Sequence, residues 1–325
     1  MTEVDCVDVL KDFTDKSISD YQKNNKELNH EQIANDFMEL FSICSEEELC
    51  NILACTGFIP DLYPADSSEE TLFSKLVEAL VAVWAIKMGF KSILIKEKSS
   101  YEDINIIIDN NVIVCDAKSF RLGRSQAAPN PKDFLKLEDI RKWLKRHKKG
   151  LGGLVTYPNT HDWKRGGDTY LYCTTKDCPT LMLSYIHLAV LLHFKNHYKT
   201  SDLVSLWDYQ RLFPHRIEKK IPGGNRVPYW NTIHNEMVSI MGIELSELDN
   251  KLSYYEKIQQ AFIINKVKQL EKIKDETITK TKEEINKMPD DVVRNNFIEY
   301  KIYAETEKID KCIERIKNFR LNGGD

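Results

Sequence analysis

The sequence predicts an α/β fold, a central mixed β-sheet flanked by helices, with a helical N-terminal arm and a helical C-terminal extension. Three observations carry that expectation. Two β-branched runs, Ile104 to Ile108 and Val112 to Val114, are joined by Asp109-Asn110-Asn111, a short polar turn that tolerates positive φ, so they should form a hairpin. Helical patterns stand on either side, from Ser67 to about Met88 and from Lys132 to Lys149. Highly charged helical stretches then run from Lys251 to Lys287 and from Asp290 to Phe319, broken by Met288-Pro289, which suggests an antiparallel helix pair.

With 325 residues, 42% hydrophobic and 30% charged, the chain can bury a full core and still carry an appendage. The expected division is an acidic helical arm over 1–60, a core over 61–243 containing a basic arm at 119–149, and a helical hairpin over 244–325. No apolar run of 18 residues exists and the start M-T-E-V-D-C is acidic, so neither a membrane span nor secretion is expected. Cys6, Cys44, Cys50, Cys55, Cys115, Cys173, Cys178 and Cys312 are scattered among apolar neighbours, which suits a reducing cytoplasm better than a disulfide framework.

In chain order, Glu31 to Cys44 spaces Ile33, Phe37, Leu40 and Phe41 along one helical face, and Ser45-Glu-Glu-Glu48 caps a second helix ending near Gly57. These helices are expected to pack on the core or on a second subunit. After the loop Phe58 to Pro64, Ser67 and Glu70 form a capping box that opens a long helix held to the sheet by Leu72, Leu76, Leu80 and Val83. Ile95 to Glu102 is a polar loop. Arg121 to Pro131 is an irregular basic arm, and Pro131 suits the first turn of the helix that follows. Leu151 to Tyr157 and Tyr170 to Thr174 read as strands, and Leu181 to Phe194 is apolar enough for a buried helix. Ile258, Phe262, Ile263, Val267, Leu270 and Ile273 recur at helical intervals, as packing seams do.

The chemistry concentrates between Asp103 and Lys118. Asp116 and Lys118 project to one side of a strand with the Ala117 carbonyl between them, and Asp103 opens the neighbouring strand. Two carboxylates and a carbonyl make a hard-oxygen site suited to Mg²⁺, and an ammonium beside it can steady an attacking water or developing charge on phosphorus. Alone, D-x12-D-x-K is a weak pattern, because acids and lysines also stand solvated at hairpin edges. The segments around it are more specific. Asp116-Ala-Lys-Ser-Phe-Arg-Leu-Gly-Arg124 with Asn130-Pro-Lys-Asp-Phe134, and beyond them Glu70-Thr-Leu-Phe-Ser-Lys75 and Ser184-Tyr-Ile-His-Leu-Ala-Val-Leu-Leu192, resemble the HindIII family of type II restriction endonucleases, which have the PD-(D/E)XK nuclease fold. The likeness covers roughly residues 50 to 210.

That resemblance implies Mg²⁺-dependent, sequence-specific cleavage of double-stranded DNA, with one or two metals per active site. Asp103, Asp116, Ala117 and Glu78 would then hold metal, and Asp103, Asp116, Lys118 and Glu78 would be catalytic. It implies DNA contacts from Ser119, Arg121, Arg124, Asn130, Lys132, Asp133 and Lys136, with the loop 95–102 near the minor groove. The spacer between Arg124 and Asn130 is longer than the family pattern. It further implies a homodimer on a palindromic site and a companion DNA methyltransferase acting on that site without forming a stable complex.

The formal net charge of −4 hides a division along the chain. Residues 1–70 carry 4 Lys plus Arg against 17 Asp plus Glu, a net of −13, whereas residues 118–150 carry 11 against 3, a net of +8. A local basic segment is what neutralises phosphates. The cluster Arg141 to Lys149 reads equally as a solvated helix end or as a backbone contact. Cys173, Cys178, His193 and His197 approach zinc-finger spacing, but the apolar run around His193 leaves no room for a small ββα module, so zinc is not expected. Two rivals remain: a repair or transposition nuclease of low specificity, and a DNA-binding module that has lost catalysis.

Overall fold

A computed structural model describes residues 8–24, 27–95, 101–124, 134–158, 175, 177–214, 227–287 and 291–321. Its helices are α1 (Val9–Lys23), α2 (His30–Ser42), α3 (Glu46–Ala54), α4 (Ser68–Lys87), α5 (Leu137–Leu144), α6 (Tyr185–His193), α7 (Tyr209–Leu212), α8 (Val227–Met241), α9 (Leu245–Ile285) and α10 (Asp291–Ile316). Its strands are β1 (Phe58–Ile59), β2 (Lys91–Leu94), β3 (Ile104–Ile108), β4 (Asn111–Ala117), β5 (Phe120–Arg121), β6 (Gly150–Tyr157) and β7 (Thr180–Ser184). Among the described residues β2-β3-β4-β6-β7 form one mixed sheet, antiparallel from β2 to β4 and parallel from β4 to β7. Strands β1 and β5 pair separately, in parallel.

The hairpin forms as expected, with a tighter turn. Asp109 and Asn110 both take positive φ, at 48° and 69°, while Asn111 already pairs with Ile108. Two left-handed residues match the twist of the flanking strands, so the loop is two residues long rather than three. Helix α4 opens at Ser67, whose side chain accepts from the Glu70 N–H, and its apolar residues from Leu72 to Ala85 are buried against the sheet and α2.

Other elements depart from the expectation for local reasons. The helix expected over Lys132 to Lys149 is described only as α5, which stops at Leu144. Beyond it the buried Glu102 carboxylate draws in His147 at 3.0 Å and Arg146 at 3.6 Å, and Val112 takes up the Lys149 carbonyl, which turns the chain into β6. The strand expected over Tyr170 to Thr174 falls outside the described residues. The apolar run Leu181 to Phe194 is not one helix: its first residues complete β7, buried throughout, and helix begins only at Tyr185. Ser184, extended at φ −73° and ψ 163°, divides the two, and its hydroxyl bonds Nδ1 of His187 at 2.7 Å.

One core joins both ends of the chain. Leu10, Ile18, Ile33 and Phe37 of the N-terminal helices lie in it, as do Leu248, Leu252, Tyr255 and Ile258 of α9. The Gln259 amide donates to the carbonyls of Ala54 (2.8 Å) and Pro158 (3.1 Å). From Phe262 onward α9 pairs with α10, Lys274 meeting Asp310 and Lys317 meeting Glu271 at 2.8 Å, which sets the two helices antiparallel. Their seam, Phe262, Ile263, Val267 and Leu270 against Ile309, Cys312, Ile313 and Ile316, also takes in Phe58 and Leu122. Ile273, expected in that seam, is instead exposed. The apolar faces considered for a subunit interface are thus largely covered within the chain.

Candidate active site

Strand β4 ends where β3 begins, so Asp103 and Asp116 come together across the hairpin mouth. The Asp103 N–H donates to the Cys115 carbonyl (3.1 Å), and its Oδ2 accepts from the Ala117 N–H (2.8 Å). The Lys118 ammonium lies 2.6 Å from Oδ2 of Asp116. The backbone of Lys118 is pinned on both sides: its N–H donates to the Thr156 carbonyl (2.8 Å), and its carbonyl accepts from the Tyr185 hydroxyl (2.8 Å). Gly57 closes this corner. It takes φ +89°, its carbonyl accepts the Phe120 N–H (2.8 Å), and a Cβ there would stand 2.6 Å from the Tyr185 ring.

Helix α4 adds Glu78. Lys75, one turn earlier, reaches Glu78 Oε2 at 2.6 Å and the Ile95 carbonyl at 2.8 Å, tying the carboxylate to the end of β2. Burial holds the Asp103 carboxyl well above the usual carboxylate range, and the negative charges of Glu78 and Asp116 push it further. Burial also raises Glu78, opposed chiefly by Lys75, with Asp116 pushing it up. Burial alone would lower the Lys118 ammonium, but Asp116 and Asp103 outweigh it and the pKa is raised. The buried Cys115 thiol is raised by burial and then by the same three acids, so the field here is negative.

Three crowded carboxylates and a backbone carbonyl are hard-oxygen donors of the kind that divalent cations take, and such a cation would relieve their repulsion. Among the described residues, no three acidic, His or Cys side chains converge closely enough to hold a metal as they stand. Lys75 and Lys118 instead neutralise Glu78 and Asp116.

The residues expected to touch DNA have differing fates. The Ser119 hydroxyl lies 3.1 Å from that of Ser74. The Arg121 guanidinium is held within the chain, bound to the carbonyls of Pro60, Asp61, Tyr63 and Pro64 and to Glu70 at 3.0 Å. Arg124 stacks on the Phe120 ring at 4.6 Å. Lys136 is exposed at the N-terminus of α5. Asn130, Lys132 and Asp133 lie outside the described residues. In the later basic cluster, Arg141 meets Glu138 and Asp177, Lys142 meets Asp139, and Arg146 lies 3.9 Å over the Tyr101 ring. Of the zinc-like set, Cys173 lies outside the described residues, and the His193 ring packs against Phe194 and Tyr255.

Sequence reasoning assigned no role to Lys75 or Tyr185, though both stand in the segments that carry the resemblance. The three-residue spacing of Lys75 to Glu78 is a legible helical pair. Tyr185 is 67 residues from the carbonyl it caps, and no local signal marks it.

Two comparisons with known proteins give the chain's relationships. The family model described as HindIII restriction endonuclease matches residues 9–309. The chain is similar to the type II restriction enzyme HindIII of Haemophilus influenzae, 25% identical over 197 residues, which are 58% of this chain and 60% of that enzyme.

Proposed function

Since this chain belongs to the HindIII restriction endonuclease family, we propose that it is a type II site-specific deoxyribonuclease making Mg²⁺-dependent double-strand breaks in DNA. The observation that carries this reading is the Lys118–Asp116 pair set beside Asp103 and Glu78. The match to HindIII spans about three fifths of that enzyme's length, so the activity rests on the site's chemistry as much as on likeness.

Asp103, Asp116, the Ala117 carbonyl and Glu78 would hold one or two Mg²⁺ ions. Bound there, the cation would supply positive charge for the scissile phosphate. Lys118 holds the attacking water and offers its charge to the phosphate oxygens as attack proceeds, while Thr156 and Tyr185 keep its backbone fixed. Water attacks in line with the bond from phosphorus to the 3′ oxygen. The P–O3′ bond breaks as the new P–O bond forms, leaving a 5′-phosphate; the attacking water gives up a proton to solvent, and the departing oxygen takes one from solvent to become a 3′-hydroxyl. Lys75 steadies Glu78.

Arg124, Lys136 and Ser119 contact the DNA, and Asn130, Lys132 and Asp133 read base edges: Asn pairs with adenine, Lys donates to guanine and Asp accepts from cytosine. Arg121 braces the loop 60–64 at the root of this arm. One hydrolytic centre cuts one strand, so a homodimer on a palindrome of about 4 to 6 base pairs makes the double-strand break. The enzyme works in the cytoplasm alongside a methyltransferase of the same specificity. No described helix is long and apolar enough to cross a membrane.

Digestion of a long sequenced DNA with Mg²⁺ tests this reading. Discrete fragments support it. A smear would favour a low-specificity repair or transposition nuclease, and shifted but uncut DNA a silent binding module.

A further inference from the structure

The C-terminal helix pair plays no part in the chemistry above, yet its inner end meets the chain just beyond the catalytic strand. The Gly123 N–H donates to Oδ1 of Asp61 (2.8 Å), and the Gly123 carbonyl accepts from Nη1 of Arg315 (3.0 Å). A Cβ on Gly123 would stand 3.0 Å from that same Asp61 oxygen and 3.0 Å from the Cα of Cys312, so α10 lies directly against this residue. The neighbouring Leu122 is buried among Ile309, Cys312, Ile313 and Ile316. Arg121, one residue earlier, is fastened to the loop 60–64. Three consecutive residues are therefore gripped between that loop and α10, and Arg124 follows at once.

We propose that the C-terminal helical hairpin sets the course of the basic arm as it leaves the sheet, with Arg315 as a positioning residue for DNA recognition. The inference rests on the reading of 119–149 as the DNA-contacting arm. A guanidinium suits the task because its charge is permanent and its donors are held in a rigid plane, whereas a lysine carries its three donors as a point charge on a flexible stem. Asp61 holds the other side of Gly123, so the arm's root cannot pivot without breaking one of two bonds.

The test compares wild type with Arg315→Ala, Arg315→Lys and Gly123→Ala on a duplex carrying the mapped site and on the same duplex with one base pair changed. Gly123→Ala keeps Arg315 but crowds Asp61 and the backbone of α10 at Cys312, so it reports on the same joint if Arg315→Ala folds poorly. Expected are a rise in KM of about tenfold for Arg315→Ala, from the loss of one charge-assisted bond, a similar rise for Gly123→Ala, weaker discrimination between the duplexes, little change in kcat, and partial rescue by Arg315→Lys. Folded variants with unchanged KM and discrimination, or a fall in kcat alone, would overturn the proposal. A wild-type enzyme that ignores the base change would instead sink the reading of the arm.

Discussion

The ammonium of Lys118 stands 2.6 Å from the carboxylate of Asp116, on the far side of a residue whose N–H is held by Asp103. Two side chains at the end of β4 and one just ahead of β3 are thus locked before any ligand arrives. Their order is set by the alternation of side chains along β4 and by the register of Ile104 with Cys115.

Removing the ammonium should slow chemistry more than binding. Lys118→Ala is expected to lower single-turnover cleavage by about 10²- to 10⁴-fold, the usual worth of a group acting directly on the reacting atoms, with little change in the Kd for DNA measured in Ca²⁺. Lost affinity with cleavage preserved at saturation would make Lys118 a phosphate anchor instead.

The acids of the site work against the fold when no cation is present. Asp103 and Glu78 have raised pKa values, so their ionised forms are disfavoured in the folded state, and stability falls as pH rises from their unfolded values through the folded ones. Asp103→Asn should therefore melt at a higher temperature than wild type at pH 8 in EDTA, and should lose both cleavage and the upward melting shift that Mg²⁺ gives wild type. A melting temperature at or below that of wild type in EDTA would contradict this account.

Arg121 and Lys136 should separate cleanly. Arg121→Ala takes a donor from the acceptors of the loop 60–64 and removes the ion pair of Glu70, which keeps the Asp66 N–H, so unfolding should become easier by about 3 kcal/mol, with no change in the salt dependence of DNA binding. Lys136→Ala should leave the melting temperature alone and reduce the slope of log K against log salt by about 1. The reverse pattern would restore Arg121 as a phosphate contact.

Asp61 provides a pH probe away from the metal site. Burial pushes its carboxyl up to about 6, against the pull of the Gly123 N–H and then of Arg121, Arg320 and Arg315. The raised value means that its contribution to stability is present below pH 4 and is lost as pH rises through about 6. Asp61→Asn keeps an acceptor for Gly123 and removes the titration. Chemical denaturation from pH 5 to 8 should show wild type losing stability relative to this variant over that interval, and parallel curves would refute the assignment.

What the sequence determined by itself was local. Alternating β-branched residues around Asp109-Asn110 specify the hairpin, the spacing of Asp116 and Lys118 puts both side chains on one side where β4 ends, and the charged periodic stretches specify the C-terminal helix pair. These follow from periods of two and 3.6 residues, which need no distant partner. Only the tertiary structure decided that Ser184 splits an apolar run into strand and helix, since either period fits residues buried on all sides. It likewise decided that Arg121 braces a loop some 60 residues away and that Arg315 reaches a glycine 192 residues away. A guanidinium in a basic segment looks the same in sequence whether it meets phosphate or backbone carbonyls. Which one it meets depends on what the fold brings within reach: for Arg121 the loop 60–64 and Glu70, for Arg315 the Gly123 carbonyl, beside a seam of α9 and α10 that Leu122 and Phe58 complete.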